Sequence, residues 1–347
     1  MSIQKELYGH LSDGRPVDRY TLTNPNGLRC CILTLGGIVT ELHVPDAKGE
    51  LGDVVLGLPS LEDYEKGHPS LGALIGRVAG RITGGVFELD GTRYELAVNQ
   101  PPNHLHGGNT GFDERVWEAE GNETPDGEPF VKLFYQSPDG EENYPGNLSV
   151  EVTYTLTAKN ELRIDYKAVS DKATPLSLTN HAYFNLAGEG TPSIGSHRLQ
   201  IFADTMVPQK IDGTLTGVRT PVEGGLHDFR NPKPLEEFIA HELHGENYLF
   251  RQEDAARPEP AAVVTEPESG RKMEVFTTAT GIQFYTGKFL EEFDLKGKSG
   301  TPYPNYSAFC LECQGYPDGV NSPDIDDIIL RPGETYRQAT IYRFSVE

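Results

Sequence analysis

The stretch LSVEVTYTLTAKNELRIDYKAVS, residues 148–170, decides the fold class. In its first half Leu148, Val150, Val152, Tyr154 and Leu156 share one face, while Ser149, Glu151, Thr153 and Thr155 share the other. After Lys159-Asn160 the alternation resumes, with Leu162, Ile164 and Tyr166 opposed by Arg163, Asp165 and Lys167. A period of two belongs to extended backbone, whose successive side chains point to opposite faces. The stretch therefore predicts a hairpin with one buried and one wet face.

The same signal recurs outward along the chain. VFELDGTRYELAV (86–98) predicts a second hairpin, with Asp90-Gly91 suited to a tight turn. LRCCILTL, IVTELHV, DVVLGL, RKMEVFTTA, IQFYTG, SAFCLECQ and YRQATIYRFSV are further strand candidates. Helical signals are short: SLEDYEKG with a Ser cap and PLEEFIAHEL with a Pro start, about two turns each. Strands do not alternate with helices as in a dinucleotide-binding fold, and GNTGFD lacks the setting of a phosphate loop. The expectation is an all-β, antiparallel architecture. With 38 Gly and 25 Pro spread over 347 residues and no repeat or linker, one structural unit over 1–347 is predicted.

A formal net charge of -22, from 30 basic against 52 acidic residues, argues against nucleic acid and anionic membrane partners. The segment MSIQKELYGHLSDGRP has no apolar core of a signal peptide, and no run approaches a membrane span, so a cytoplasmic location is expected. Cys30-Cys31 and Cys310-x-x-Cys313 lie in apolar strand runs, where each pair diverges to opposite faces. Structural zinc sites hold cysteines on tight turns, so buried free thiols are expected.

Four stretches carry polar residues where strands are normally plain. They are GRVAGRITGG with Arg77 and Arg81, NHLHGG with His104 and His106, LTNHAYFNLAG around His181, and CLECQGYPDG around Glu312. In the last, Cys310, Glu312 and Gln314 fall on one strand face, with Leu311 and Cys313 on the other. Each has a structural alternative: a histidine near a turn that only hydrogen-bonds, a Glu312 ion pair with Arg77 or Arg81, glycines that only supply positive φ. His104 and His106 also have the spacing of a strand-borne metal pair.

Taken in order, GRVAGRI, NHLHGGNTGFDERVW, LTNHAYFNLAG, GIQFYTGKF and CLECQGYPDGVNSPDI…LRPGETY resemble the galactose mutarotases (aldose 1-epimerases). DVVLGLPSLEDY extends the resemblance over nearly the whole chain. The resemblance implies a large antiparallel β-supersandwich with a sugar cleft and no metal or organic cofactor. It implies His181 as proton donor, Glu312 as general base and His106 as the second active-site histidine. It further implies sugar-binding roles for Arg81, Tyr183 and Gln283. His104 occupies a position the motif does not require, and its replacement is expected to be nearly silent.

Elementary chemistry agrees. Opening a hemiacetal needs one proton taken from the C1 hydroxyl and one given to the ring oxygen, which a positioned base and acid supply without a Lewis acid. The implied function is interconversion of the α and β anomers of free hexoses, galactose and glucose, by a monomer or homodimer acting on a small-molecule sugar. One departure bears on substrate preference: HGENYLF places Asn247 where the family motif has a sugar-binding Asp. Rival readings are a hexose-phosphate epimerase, disfavoured because only Arg77 and Arg81 stand together; a metal-dependent cupin-like enzyme built on His104 and His106; and a sugar-binding protein without turnover.

Overall fold

The computed structural model describes residues 1–210, 212–250 and 256–347. The deciding stretch folds into strands Leu148–Leu156 and Glu161–Ser170, paired antiparallel from Leu148 opposite Ser170 to Leu156 opposite Leu162. The apolar residues of its inward face, from Leu148 to Leu156 and from Leu162 to Ala168, are buried, Val169 is exposed on the other face, and Asn160 takes positive φ at the turn. This hairpin lies within a nine-stranded sheet. On one side it continues through Pro129–Ser137 to Glu118–Glu123. On the other it continues through Tyr336–Val346, Arg271–Thr277, Glu259–Glu266 and Arg198–Ile201 to Lys233–Pro234. Every one of these pairings is antiparallel.

A five-stranded meander, Ser2–His10 through Leu51–Asp53, forms a second sheet. A third sheet has the order Thr220–Pro221, Thr205–Val207, Asn247–Leu249, Gly281–Tyr285, Cys310–Gln314. The inner faces share one apolar core, in which Leu22 and Val44 of the second sheet, Val152 and Ile164 of the first, and Ile282 and Leu311 of the third all pack. The all-β sandwich expectation holds.

Local differences have physical causes. DVVLGL is not a strand beyond Asp53: Val55 makes a single bridge to Phe184, and Lys298 Nζ donates to the Thr40 and Val55 carbonyls there. Long-range burial, not a ladder, explains its apolar residues. Both helices are shorter than the two turns expected, five residues each, Leu61–Glu65 and Glu236–Ala240. Ser60 caps the first as expected, whereas Pro234 is taken into the edge of the large sheet and the second helix begins after it. Among the described residues no helix is long and apolar enough to cross a membrane. All four cysteines are free and buried.

Candidate active site

The third sheet is the floor of a cleft of about 1020 Å³. Alternation along Cys310–Gln314 sends Leu311 and Cys313 into the shared core and Glu312 and Gln314 to the cleft. Glu312 pairs in register with Gln283, which pairs with Asn247. The floor is thus polar across the last two strands, where Gln283, Glu312 and Gln314 line the cleft.

His181 arrives from a separate element. The short Thr179–Asn180 strand pairs with Leu74–Ile75. The His181 N–H donates to the Ala73 carbonyl at 2.8 Å, and the Gly72 N–H donates back to the His181 carbonyl at 3.0 Å. Asn180 locks the bend by donating to the Gly72 carbonyl and accepting from the Ala182 N–H. The imidazole lies against the Tyr183 ring, centroids 4.9 Å apart and nearly parallel. Its Nε2 stands 3.6 Å from Glu312 Oε1, and its Nδ1 faces Cys310 Sγ at 3.4 Å.

His106 completes the trio from NHLHGG. It adopts φ +52, unusual for a residue with a Cβ, and is followed by Gly107 and Gly108, both at positive φ. A Cβ on Gly107 would lie 1.9 Å from the Gly76 carbonyl oxygen, so that close approach requires glycine. The bend is held by a reciprocal pair: the His106 N–H donates to the Gly80 carbonyl at 3.0 Å, and the Gly80 N–H donates to His106 Nδ1 at 3.1 Å. With Nδ1 accepting, the neutral ring carries its proton on Nε2. The His106 and His181 rings meet edge to face at 5.3 Å.

Burial sets the charge states. Glu312 is 3% exposed and His181 5%. Desolvation pushes the Glu312 carboxyl up to about 8, partly opposed by the positive charge of Arg81. Desolvation also pulls His181 down to about 4, and His106 well below the usual imidazole range. At neutral pH the free site therefore holds its proton on Glu312, with both histidines neutral.

The two histidines of NHLHGG part company. His104 is fully buried outside the cleft, donating Nδ1–H to the Ala97 carbonyl at 2.8 Å and accepting from the Tyr144 hydroxyl at 2.7 Å. The His104–His106 metal pair is thereby excluded. Within the cleft, the ligand atoms of His106, His181 and Glu312 converge to within 4.8 Å of one another. The arginines divide in the same way. Arg77 is buried and spends its guanidinium on the Ser137, Pro138, Pro145 and Gly146 carbonyls at 2.8–3.1 Å. Arg81 lines the cleft, its Nε donating to Gln100 Oε1 at 2.6 Å.

Gln283 and Tyr183 also line the cleft; the Gln283 Nε2 donates to the Phe284 carbonyl. Asn247 does not line it. The residue is wholly buried on the strand beside Gln283, and among the described residues neither its amide oxygen nor its amide nitrogen meets a partner. The expected direct contact between Asn247 and a sugar is corrected accordingly. Tyr285 was not singled out, yet it borders the cleft, edge-on to Tyr183 at 6.1 Å. The signal was present: Tyr285 lies two residues beyond Gln283 on the same strand face. His68 also lines the cleft, from a loop segment with no periodicity to reveal it.

Residues 18–343 match the family model described as aldose 1-epimerase. The chain is 44% identical over 350 residues to the galactose mutarotase of Rattus norvegicus, covering 100% of this chain and 99% of that one. It is 35% identical over 343 residues to the aldose 1-epimerase of Escherichia coli K12, covering 96% and 97%. In fold it is similar to the crystal structure of an aldose epimerase homologue from C. elegans. That structure superposes with TM-score 0.86 at 30% identity, covering 94% of this chain and 98% of that one.

Proposed function

Since the chain belongs to the aldose 1-epimerase family, we propose that Glu312 and His181 are the base and acid of a cofactor-free anomer interconversion. The protein is an isomerase that converts the α and β forms of aldoses into one another. One observation carries the assignment: two buried titratable groups, an imidazole and a carboxyl 3.6 Å apart, face the same cleft.

Ring opening starts from the form in which that proton sits on His181. Glu312 takes the C1 hydroxyl proton, the electrons of that O–H bond form the C1 carbonyl, and the C1–O5 bond breaks. O5 takes the proton from His181. Afterwards Glu312 is neutral acid and His181 neutral imidazole, which is the state burial favours in the free site. The buried ion pair is thus relieved as the ring opens, and binding energy applied at that stage favours turnover. Rotation about C1–C2 and the reverse transfers reclose the ring on the other face.

His106 presents Nε2–H as a neutral donor toward the ring oxygen region, while Arg81 and Gln283 hold other hydroxyls and Tyr183 backs the sugar. Asn247 acts on sugar preference through Gln283. The substrates are free galactose and glucose, handled by the 1–347 unit as a cytoplasmic monomer or homodimer. A metal-dependent variant is the second reading, because His106, His181 and Glu312 have ligand atoms close enough for one ion. Polarimetry on freshly dissolved α-D-galactose and α-D-glucose tests both: accelerated approach to equilibrium that survives exhaustive chelation is expected. No acceleration refutes the function, and activity lost to EDTA but restored by a divalent metal replaces the mechanism.

A further inference from the structure

On the strand that carries Glu312, alternation brings a second polar side chain to the same face two residues on. Gln314 is 1% exposed, borders the cleft, and its Oε1 is buried without a hydrogen-bond partner among the described residues. Leaving a buried acceptor unpaired is unfavourable for folding. The neighbourhood explains how the side chain finds room. Its partner across the ladder is Gly281, which has no side chain to cover it. On its other side is Gly80, where an added Cβ would lie 3.5 Å from Gln314 Nε2. The Gln314 carboxamide therefore lies beside the segment that holds both His106 and Arg81.

Those two neighbours are donors: the guanidinium of Arg81 accepts nothing, and His106 presents Nε2–H because its Nδ1 is taken by Gly80. A sugar hydroxyl that accepts from either group still has a proton of its own to place.

We propose that Gln314 is a specificity-determining residue whose Oε1 accepts a hydrogen bond from one hydroxyl of the bound aldose, on the side of the ring held by Arg81 and His106. The proposal rests on the anomer-interconversion reading. It assigns Gln314 to binding, because the proton transfers at C1 and O5 belong to Glu312 and His181.

The test compares the parent protein with Gln314→Met, which keeps length and removes the acceptor. Polarimetric rates are measured on galactose, glucose and their monodeoxy derivatives. KM for the parent hexoses should rise roughly five- to tenfold, the size of one net hydrogen bond, with kcat held within about twofold. On the one deoxy sugar that lacks the partner hydroxyl, the two proteins should show the same KM. An unmoved KM on both hexoses overturns the assignment. So does an equal loss on every deoxy sugar, which marks a purely structural role. If Gln314→Met does not fold, Gln314→Glu keeps shape and acceptor and should hold KM near the parental value; a KM raised more than about tenfold there overturns the assignment as well. A parent protein inactive on every aldose removes the proposal together with the reading beneath it, whereas an active parent with an indifferent Gln314 sinks the proposal alone.

Discussion

In the Leu148–Leu156 strand the buried positions up to Tyr154 are the apolar ones, and Ser149, Glu151 and Thr153 face outward. In the Cys310–Gln314 strand all five residues are buried, and two of them are Glu and Gln. Both are antiparallel ladders with ordinary pairing. The first spends its burial on stability. The second buries a carboxyl whose proton is held far more tightly than usual and an amide oxygen with no partner. Polar groups buried without compensation are unfavourable for folding, and their concentration in a cleft marks where the chemistry is.

The comparison breaks most sharply at Glu312. Glu312→Gln should lower kcat by about 10²–10⁴-fold, since the amide keeps the shape but cannot take the C1 proton. Its stability should move the other way. The folded-state pKa of about 8 lies above the ordinary 4.5, so the folded protein binds this proton more tightly than the unfolded chain. Native stability contributed by the protonated form is present below the ordinary value and is lost as pH rises through about 8. Thermal melts from pH about 5 to about 9 should show Glu312→Gln gaining Tm relative to the parent as pH rises. Unchanged turnover removes Glu312 as the base, and an unchanged Tm difference removes the buried-acid account.

In the hairpin the pattern should invert. Leu156→Ala deletes a fully buried side chain and should cost about 2–5 kcal/mol in denaturant unfolding. Turnover per folded molecule and KM should stay at parental values. A large rise in KM from Leu156→Ala would mean that the large sheet and the cleft are coupled more tightly than their separate roles allow.

The pH profile sharpens the contrast further. The pair holds one proton between the His181 value of about 4 and the Glu312 value of about 8. The rate of anomer exchange should be bell-shaped, falling below the first as a second proton binds and above the second as the last one leaves. In residually active His181→Asn protein the acid limb should vanish; its persistence would reassign the acid.

Next in size is the pair inside NHLHGG. His106→Gln should cost roughly tenfold in turnover by removing a positioned donor. His104→Gln, expected from sequence to be nearly silent, should instead lose about 1–3 kcal/mol of stability, because both ring nitrogens of this buried residue are hydrogen-bonded. Its kcat and KM, measured on the folded fraction, should not change. The smallest effect is assigned to Asn247→Asp, which should alter KM for galactose and glucose by about threefold or less, because the residue is buried beside Gln283 and does not line the cleft. A change in KM of tenfold or more, by that same reasoning, would restore a direct sugar contact at Asn247.

Much of this was legible in the chain itself. Alternation in residues 148–170, the Asp90-Gly91 turn and the opposed faces of Cys310–Gln314 follow from covalent geometry. They depend on neighbours in sequence, and the folded protein kept them. The order of the motif words carried the family. What needed tertiary structure was every property set by what packs over a residue. DVVLGL reads as a strand, yet its backbone serves Lys298 instead of a ladder. His104 and His106, Arg77 and Arg81 are near-equivalent in sequence, and only the packed fold sends one of each pair among backbone carbonyls and the other to the cleft. Burial of Asn247 and the inverted affinities of Glu312 and His181 for their proton have the same origin. Side-chain direction is a local property of the backbone, whereas desolvation sums over every element that closes around a group.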